Sequence, residues 1–481
     1  MTLVNGPLRR LALAIALAFG LGSLGAPAGA QPYKPIDGSP ELYNALSLIY
    51  KSSPNSNWAL DWILARGKAD MVPHLIASMR YSRLGESRLD KAIRQLTGET
   101  QRRDWFDWML WQQAHPELKW HESFPEFKSA VLFGLDRDFR RFVVPDQEYD
   151  IRIEEITWGG VPVDGIPPLD NPEFLDAADA GYLLDSDDVF GVEINGDARA
   201  YPLRIMGWHE MFNDVIGGVP VSLAYCTLCG AGILFEGDHP ALKELGVSKP
   251  LTFSSSGLLY RSNKLMYDRN TDSLWNQFTG EPIGGALRGS GIKLAIRPVV
   301  ITSWENWRKK HPTTKVLSLE TGFHRDYGSG VVYQDYFESQ SIMFPVLGGK
   351  DGPLGQKDQV YGMRLEGGNK AWPLAAFDGG RVINDQVGSV KVVLIGDAAT
   401  RTVRAYVRGN RNFVKAPGGD LKTVAGETWV EAEAHLVGPD GRRLSRLPGH
   451  ISYWFAWAGY LGERSELCLL YTSPSPRDGD E

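Results

Sequence analysis

The chain has 481 residues, enough for two to four domains, and its 43% hydrophobic and 23% charged content is that of an ordinary globular protein. Its 51 basic residues stand against 58 acidic ones, a formal net charge of −7. An acidic chain without a basic stripe argues against nucleic acid and against anionic membrane surfaces as partners.

Residues 1–30 read as a secretory signal peptide. Arg9 and Arg10 form a basic start, Leu11 to Leu24 an apolar run, and Ala28-Gly29-Ala30 a small-residue cleavage site. The run is short for a membrane span and ends in glycine, proline and alanine, so no span is expected after cleavage. The expected location is periplasmic or secreted. Losing the two leader arginines leaves 49 basic against 58 acidic residues, a net charge of −9. Gly20, Gly22 and Gly25 match the dinucleotide pattern GxGxxG, but inside the leader and without a βαβ unit they carry no meaning.

Residues 39–145 read as a helical domain, a bundle of helical hairpins. Ser39-Pro40-Glu41 is a start signal, with a serine cap, proline at the first helical position and an acid in the first turn. Leu42, Ala45, Leu46 and Ile49 follow at helical spacing, and similar stretches recur at 58–65, 71–79, 89–96 and 105–111. The last is dense in aromatics (Trp105, Phe106, Trp108, Trp111), which read as helix-packing core rather than a ligand-stacking surface.

From about residue 150 the texture changes to β-branched strands between glycine and proline turns. Val189 to Ala224 aligns without a gap on Val360 to Ile395, 171 residues later, with 12 of 36 positions identical. A fixed-offset match marks a duplicated supersecondary unit, with copies about 189–236 and 360–407. Each copy reads as strand, tight turn, strand, short helix (Trp208 to Asp214 in the first), glycine turn, strand. The expected fold class is α+β: an N-terminal helical bundle, then a mainly antiparallel β-rich domain over 150–460 built from two related repeat units.

Only the first copy holds Cys226-Thr227-Leu228-Cys229 and His209; the second has Asp397, Thr400 and Gly380 there. The chemistry therefore belongs to the first copy, where the cysteines fall at a hairpin tip. Asn213 and Asp214 recur as Asn384 and Asp385, so a turn-capping role is expected for them. His209-Glu210-Met211-Phe212-Asn213 begins like the zinc-protease HExxH but ends in asparagine, which rejects a metalloprotease.

Three readings of the pair stay open. Cys226 and Cys229 form a thiol–disulfide redox couple assisted by His209, although the thioredoxin context is absent. Alternatively they hold zinc or copper with His209 and His324, as a carrier or sensor. Or they staple the turn of a structural envelope protein as an inert disulfide. Enzyme and binding module are both open, as are the cofactor, the redox partner and the small-molecule substrate. Cys468 opens a tail, 468–481, that reads as non-native, similar to translated adaptor sequence. An export signal with one cysteine pair is not a disulfide scaffold.

Gly165-Ile166-Pro167, Ala200-Tyr201-Pro202-Leu203, Trp208-His209-Glu210, Gly217-Gly218-Val219-Pro220 and Tyr225-Cys226-Thr227-Leu228-Cys229-Gly230 together resemble the family catalogued as domain of unknown function 3179. So do Met266-Tyr267-Asp268-Arg269, His311-Pro312-Thr313 and Tyr453-Trp454-Phe455-Ala456-Trp457. The resemblance covers about residues 150–460. Some members are described as selenoproteins with selenocysteine at this motif, which implies redox chemistry for the thiol form here. It also implies that His209, Arg269, Trp275, His311 and Arg325 line one pocket.

Overall fold

A computed structural model describes residues 38–468, so the expected leader and the tail from 469 onward lie outside the described residues. The fold is mixed α+β. Pro40–Tyr50, Ser53–Arg66, Val72–Ser78, Glu86–Thr97, Trp105–Ala114 and Phe124–Leu135 are helical before the first strand. Ser39 Oγ accepts from Leu42 N at 3.2 Å, and Gly67 and Gly98 close two helices in the left-handed region. Trp108 is fully buried and donates to Asp90 Oδ1, as a core residue would. No helix among the described residues is long and apolar enough to cross a membrane.

Among the described residues the strands form five sheets, mainly antiparallel. Phe253–Tyr260 and Asn263–Asp268 pair tightly about Arg261 and Ser262, both at positive φ. Met211–Ile216, Val219–Cys226 and Ala231–Glu236 run antiparallel in a second sheet. Residues 211–214, expected to end the helix, belong to the Met211–Ile216 strand. The helix ends at His209 because Glu210 takes φ +55°, and extended pairing with Val219–Cys226 then satisfies the backbone.

Pairing registers coincide at the 171-residue offset. Val189 faces Pro202 as Val360 faces Pro373, and Met211 faces Ala224 as Val382 faces Ile395. Gly191 and Gly362 each lie under a tryptophan, Trp307 and Trp457, where any Cβ would fall within 2.4 Å of the ring. Asn213 grips the backbone of Phe253 in both directions, and Asn384 does the same to Phe413. These shared asparagines tie strand to strand from within strands rather than cap turns.

One continuous core runs from Leu42 in the first helix through Ile156 to Cys226, Cys229, Phe278 and Trp457. The cysteine turn therefore sits where the helices, the sheets and the late helix Trp454–Leu461 meet. Between Leu317 and Gln359 the chain forms a long strap over this region, regular only at Gln334–Glu338. The helices hold it: Gln113 donates to Pro345 O at 3.0 Å and accepts from Leu347 N at 2.9 Å.

Candidate functional site

The Val219–Cys226 and Ala231–Glu236 strands pair up to Cys226 opposite Ala231, and Thr227–Cys229 closes the tip as a 3-10 turn. Gly230 finishes the turn at φ +60°, and a Cβ there would lie 3.3 Å from the Tyr453 ring, so glycine serves both conformation and space. Just below the pair, the buried Gln277 amide donates to Ala224 O and Ala231 O and pins the two strands together.

Both cysteines are free thiols, Cys226 2% and Cys229 0% exposed. Their sulfurs stand 2.8 Å apart, with the Cys226 thiol donating to Cys229 Sγ. The Cys229 thiol donates in turn to Asn263 Oδ1 at 3.1 Å and Ser262 O at 3.4 Å. Burial, then the Cys226 sulfur and the Glu210 carboxylate, push the Cys229 thiol well above its ordinary value. Burial thus keeps Cys229 a neutral thiol.

Glu210 packs beside the turn through its left-handed backbone. Its Oε1 accepts from Thr227 Oγ1 at 2.7 Å and its Oε2 lies 2.6 Å from Lys264 Nζ, with both charges buried. The strap covers the other side. Tyr336, fully buried, donates from its hydroxyl to Leu228 O at 2.7 Å, and Lys357 Nζ lies 3.7 Å from the Tyr336 ring centroid. Burial pushes Lys357 down to about 8. Beside the turn opens a cleft of about 440 Å³ lined by Tyr225, Gly230, Tyr453, Arg401, Val332 and Phe337.

His209 is fully buried with both ring nitrogens engaged, Nδ1 with Pro167 O at 2.9 Å and Nε2 with the Tyr327 hydroxyl at 2.6 Å. A buried neutral imidazole donates to the carbonyl through Nδ1 and accepts from the phenol through Nε2. Burial lowers its pKa to about 4. It joins Tyr327 of the strap to the loop at Pro167. His324 is exposed in the neighbouring loop. Among the described residues, no group of three or more His, Cys, Asp or Glu is arranged to hold a metal ion.

The other motif residues take structural partners. Arg269 forks onto Asp170, Trp275 donates to Asp268, His311 lies over Trp307, and the Arg325 guanidinium sits 6.0 Å from the Trp208 ring. What the sequence did not single out are Glu210, Asn263 and Tyr336, which touch the turn, and Lys264 and Gln277, which brace it from behind. A signal existed for Glu210 alone, as the neighbour of His209 and absent from the second copy, where Arg381 stands.

A family model described as Protein of unknown function (DUF3179) matches residues 163–464, and the chain belongs to that family. The resemblance carried by the motifs therefore holds. No curated protein matches the chain, and no solved structure does.

Proposed function

We propose that this DUF3179 protein is an exported thiol–disulfide redox protein whose working groups are Cys226 and Cys229. The observation that carries the reading is the pair of free sulfurs 2.8 Å apart at a buried hairpin tip. A disulfide bond is about 2.05 Å long, so closure asks for a shift of less than about 1 Å. Two thiolates on one tetrahedral zinc, each bonded at about 2.3 Å, would stand nearly 4 Å apart. Both nitrogens of His209 are also committed elsewhere, which leaves the metal reading with weaker support.

In the reaction, the Cys226 sulfur attacks one sulfur of a substrate disulfide, and its proton passes to the substrate thiolate that leaves. A mixed disulfide forms and one substrate thiolate leaves. Cys229 then attacks the Cys226 sulfur and gives its proton to the second leaving thiolate. The protein ends oxidised by two electrons as a Cys226–Cys229 disulfide, and the substrate ends as two thiols. Cys226 is assigned the attack because the burial and charge that raise Cys229 disfavour its thiolate. The role of His209 is positional, holding the strap by its two bonds.

The test is reaction of the full chain with oxidised glutathione, followed by mass. Stoichiometric release of glutathione with closure of the pair supports the reading; an unreactive pair in the folded protein overturns it.

We further infer that residues 189–236 and 360–407 are two copies of one unit. The coincident registers and the matched glycine–tryptophan contacts support this. The leader pattern at 1–30 supports export.

A further inference from the structure

The second unit has a pocket where the first has its cysteines. A cavity of about 340 Å³ is lined by Gly380 to Val382, by Ile395 to Asp397, and by Thr400, Thr402 and Arg404. Each of these positions lies 171 residues beyond one in the first unit: His209 to Met211, Ala224 to Cys226, Cys229, Ala231 and Ile233. In the first unit this place is filled and covered by the strap. In the second it is open and rich in cations.

Lys310, Arg381, Arg404 and Lys415 line the cavity, against the carboxylates of Asp397 and Glu431. Behind it, Arg404 Nε donates to both Glu433 oxygens, at 3.1 and 2.9 Å, and Arg446 pairs with the same carboxylate. Lys310 takes Glu431 at 2.7 Å. Three inner cations thus share two carboxylates, and the buried Arg446 Nε finds no acceptor. Burial and the adjacent Arg404 push Lys310 down to about 8, as expected where positive charge is in excess. At the rim, among the described residues, neither Arg381 nor Lys415 has a carboxylate within ion-pair distance. Gly380 makes room there: at φ +71°, a Cβ would fall 2.7 Å from Lys415 Nζ. Counting Asp397, five cations face three carboxylates, on a chain whose net charge is −7.

We infer that this pocket binds a small dianion, a phosphate monoester or a dicarboxylate, between the rim pair Arg381 and Lys415 and the inner pair Lys310 and Arg404. Its volume sits at the low end for small-molecule sites, and fixed cations give such an anion charge-assisted hydrogen bonds. The inference is independent of the cysteine chemistry.

The test is calorimetric titration of the full chain at pH 7.5 with inorganic phosphate and with succinate, at ionic strength fixed by sodium chloride. Saturable one-to-one binding of either anion is expected, weakened at least tenfold in the Arg381→Gln/Lys415→Gln double variant and unchanged in Cys226→Ser. Binding of phosphate alone, succinate alone or both identifies which group is read. Both substituted side chains are exposed, so the double variant keeps its fold, which circular dichroism verifies. Failure of both anions to saturate, or equal binding by the double variant, overturns the inference.

Discussion

The Cys229 thiol donates to Asn263 Oδ1 across 3.1 Å, and this bond makes the two cysteines chemically unequal. Cys229 has acceptors on one side and a sulfur on the other, whereas among the described residues the Cys226 thiol bonds to Cys229 alone. On the proposed redox function, this inequality makes Cys226 the attacking thiol and Cys229 the resolving one. In Cys229→Ser, exposure to oxidised glutathione leaves a stable mixed disulfide on Cys226. In Cys226→Ser, no adduct forms on the same timescale. Intact mass of the two variants checks this, and an adduct on Cys229 instead would reverse the assignment.

The Glu210–Lys264 pair behind the turn is buried on both sides. Removing one partner leaves an uncompensated buried charge, worth about 3–5 kcal/mol, while removing both is far milder. Lys264→Met should therefore lower the urea midpoint strongly, and Glu210→Gln/Lys264→Met should recover most of the loss. Additive losses in the double variant would mean the two groups are not coupled.

Gly191→Ala drives a methyl to within 2.3 Å of Trp307 Cε3, and Gly362→Ala drives one to 1.9 Å from Trp457 Cζ3. Both tryptophans are fully buried, so neither can step aside without moving its helix. Overpacking of this kind costs about 1–3 kcal/mol or more. Trp307→Leu in the Gly191→Ala background should restore part of it, read by chemical denaturation. No recovery would point to backbone conformation rather than the ring as the cause.

His209 is kept neutral by burial, its pKa lowered to about 4 from 6.5. As the pH falls below 6.5 the unfolded chain takes up a proton that the folded chain refuses. Stability is thus full above pH 6.5 and declines toward pH 4, by about 1.4 kcal/mol per pH unit for this one group. His209→Gln should lose about 2 kcal/mol less than the wild type between pH 7 and pH 5 in urea melts. Parallel losses in both proteins would show that another group sets the acid limit.

The helices and the hairpin were legible because their signals are local: apolar spacing at 3.6, Ser39-Pro40-Glu41, and Cys-x-x-Cys-Gly between two largely apolar runs. The strand at Met211–Ile216 was not, because Trp208-His209-Glu210-Met211-Phe212 shows no apolar–polar alternation, and only the left-handed turn at Glu210 separates helix from strand. The site was half legible. Its sulfurs are named by the motif, but Ser262 and Asn263 reach Cys229 from a hairpin more than 30 residues on, and Tyr336 reaches Leu228 from a short helix in an otherwise irregular strap. His209 shows the reverse case. The sequence gives no means of telling that its ring turns toward Pro167 and Tyr327.

The most direct measurement is the thiol state of the full chain, followed by intact mass across glutathione buffers from fully reduced to fully oxidised. The account predicts one reversible two-electron transition, a loss of about 2 Da without added metal, absent from Cys226→Ser and Cys229→Ser. A pair that stays reduced across the whole range, or that gains the mass of zinc or copper instead, would contradict it.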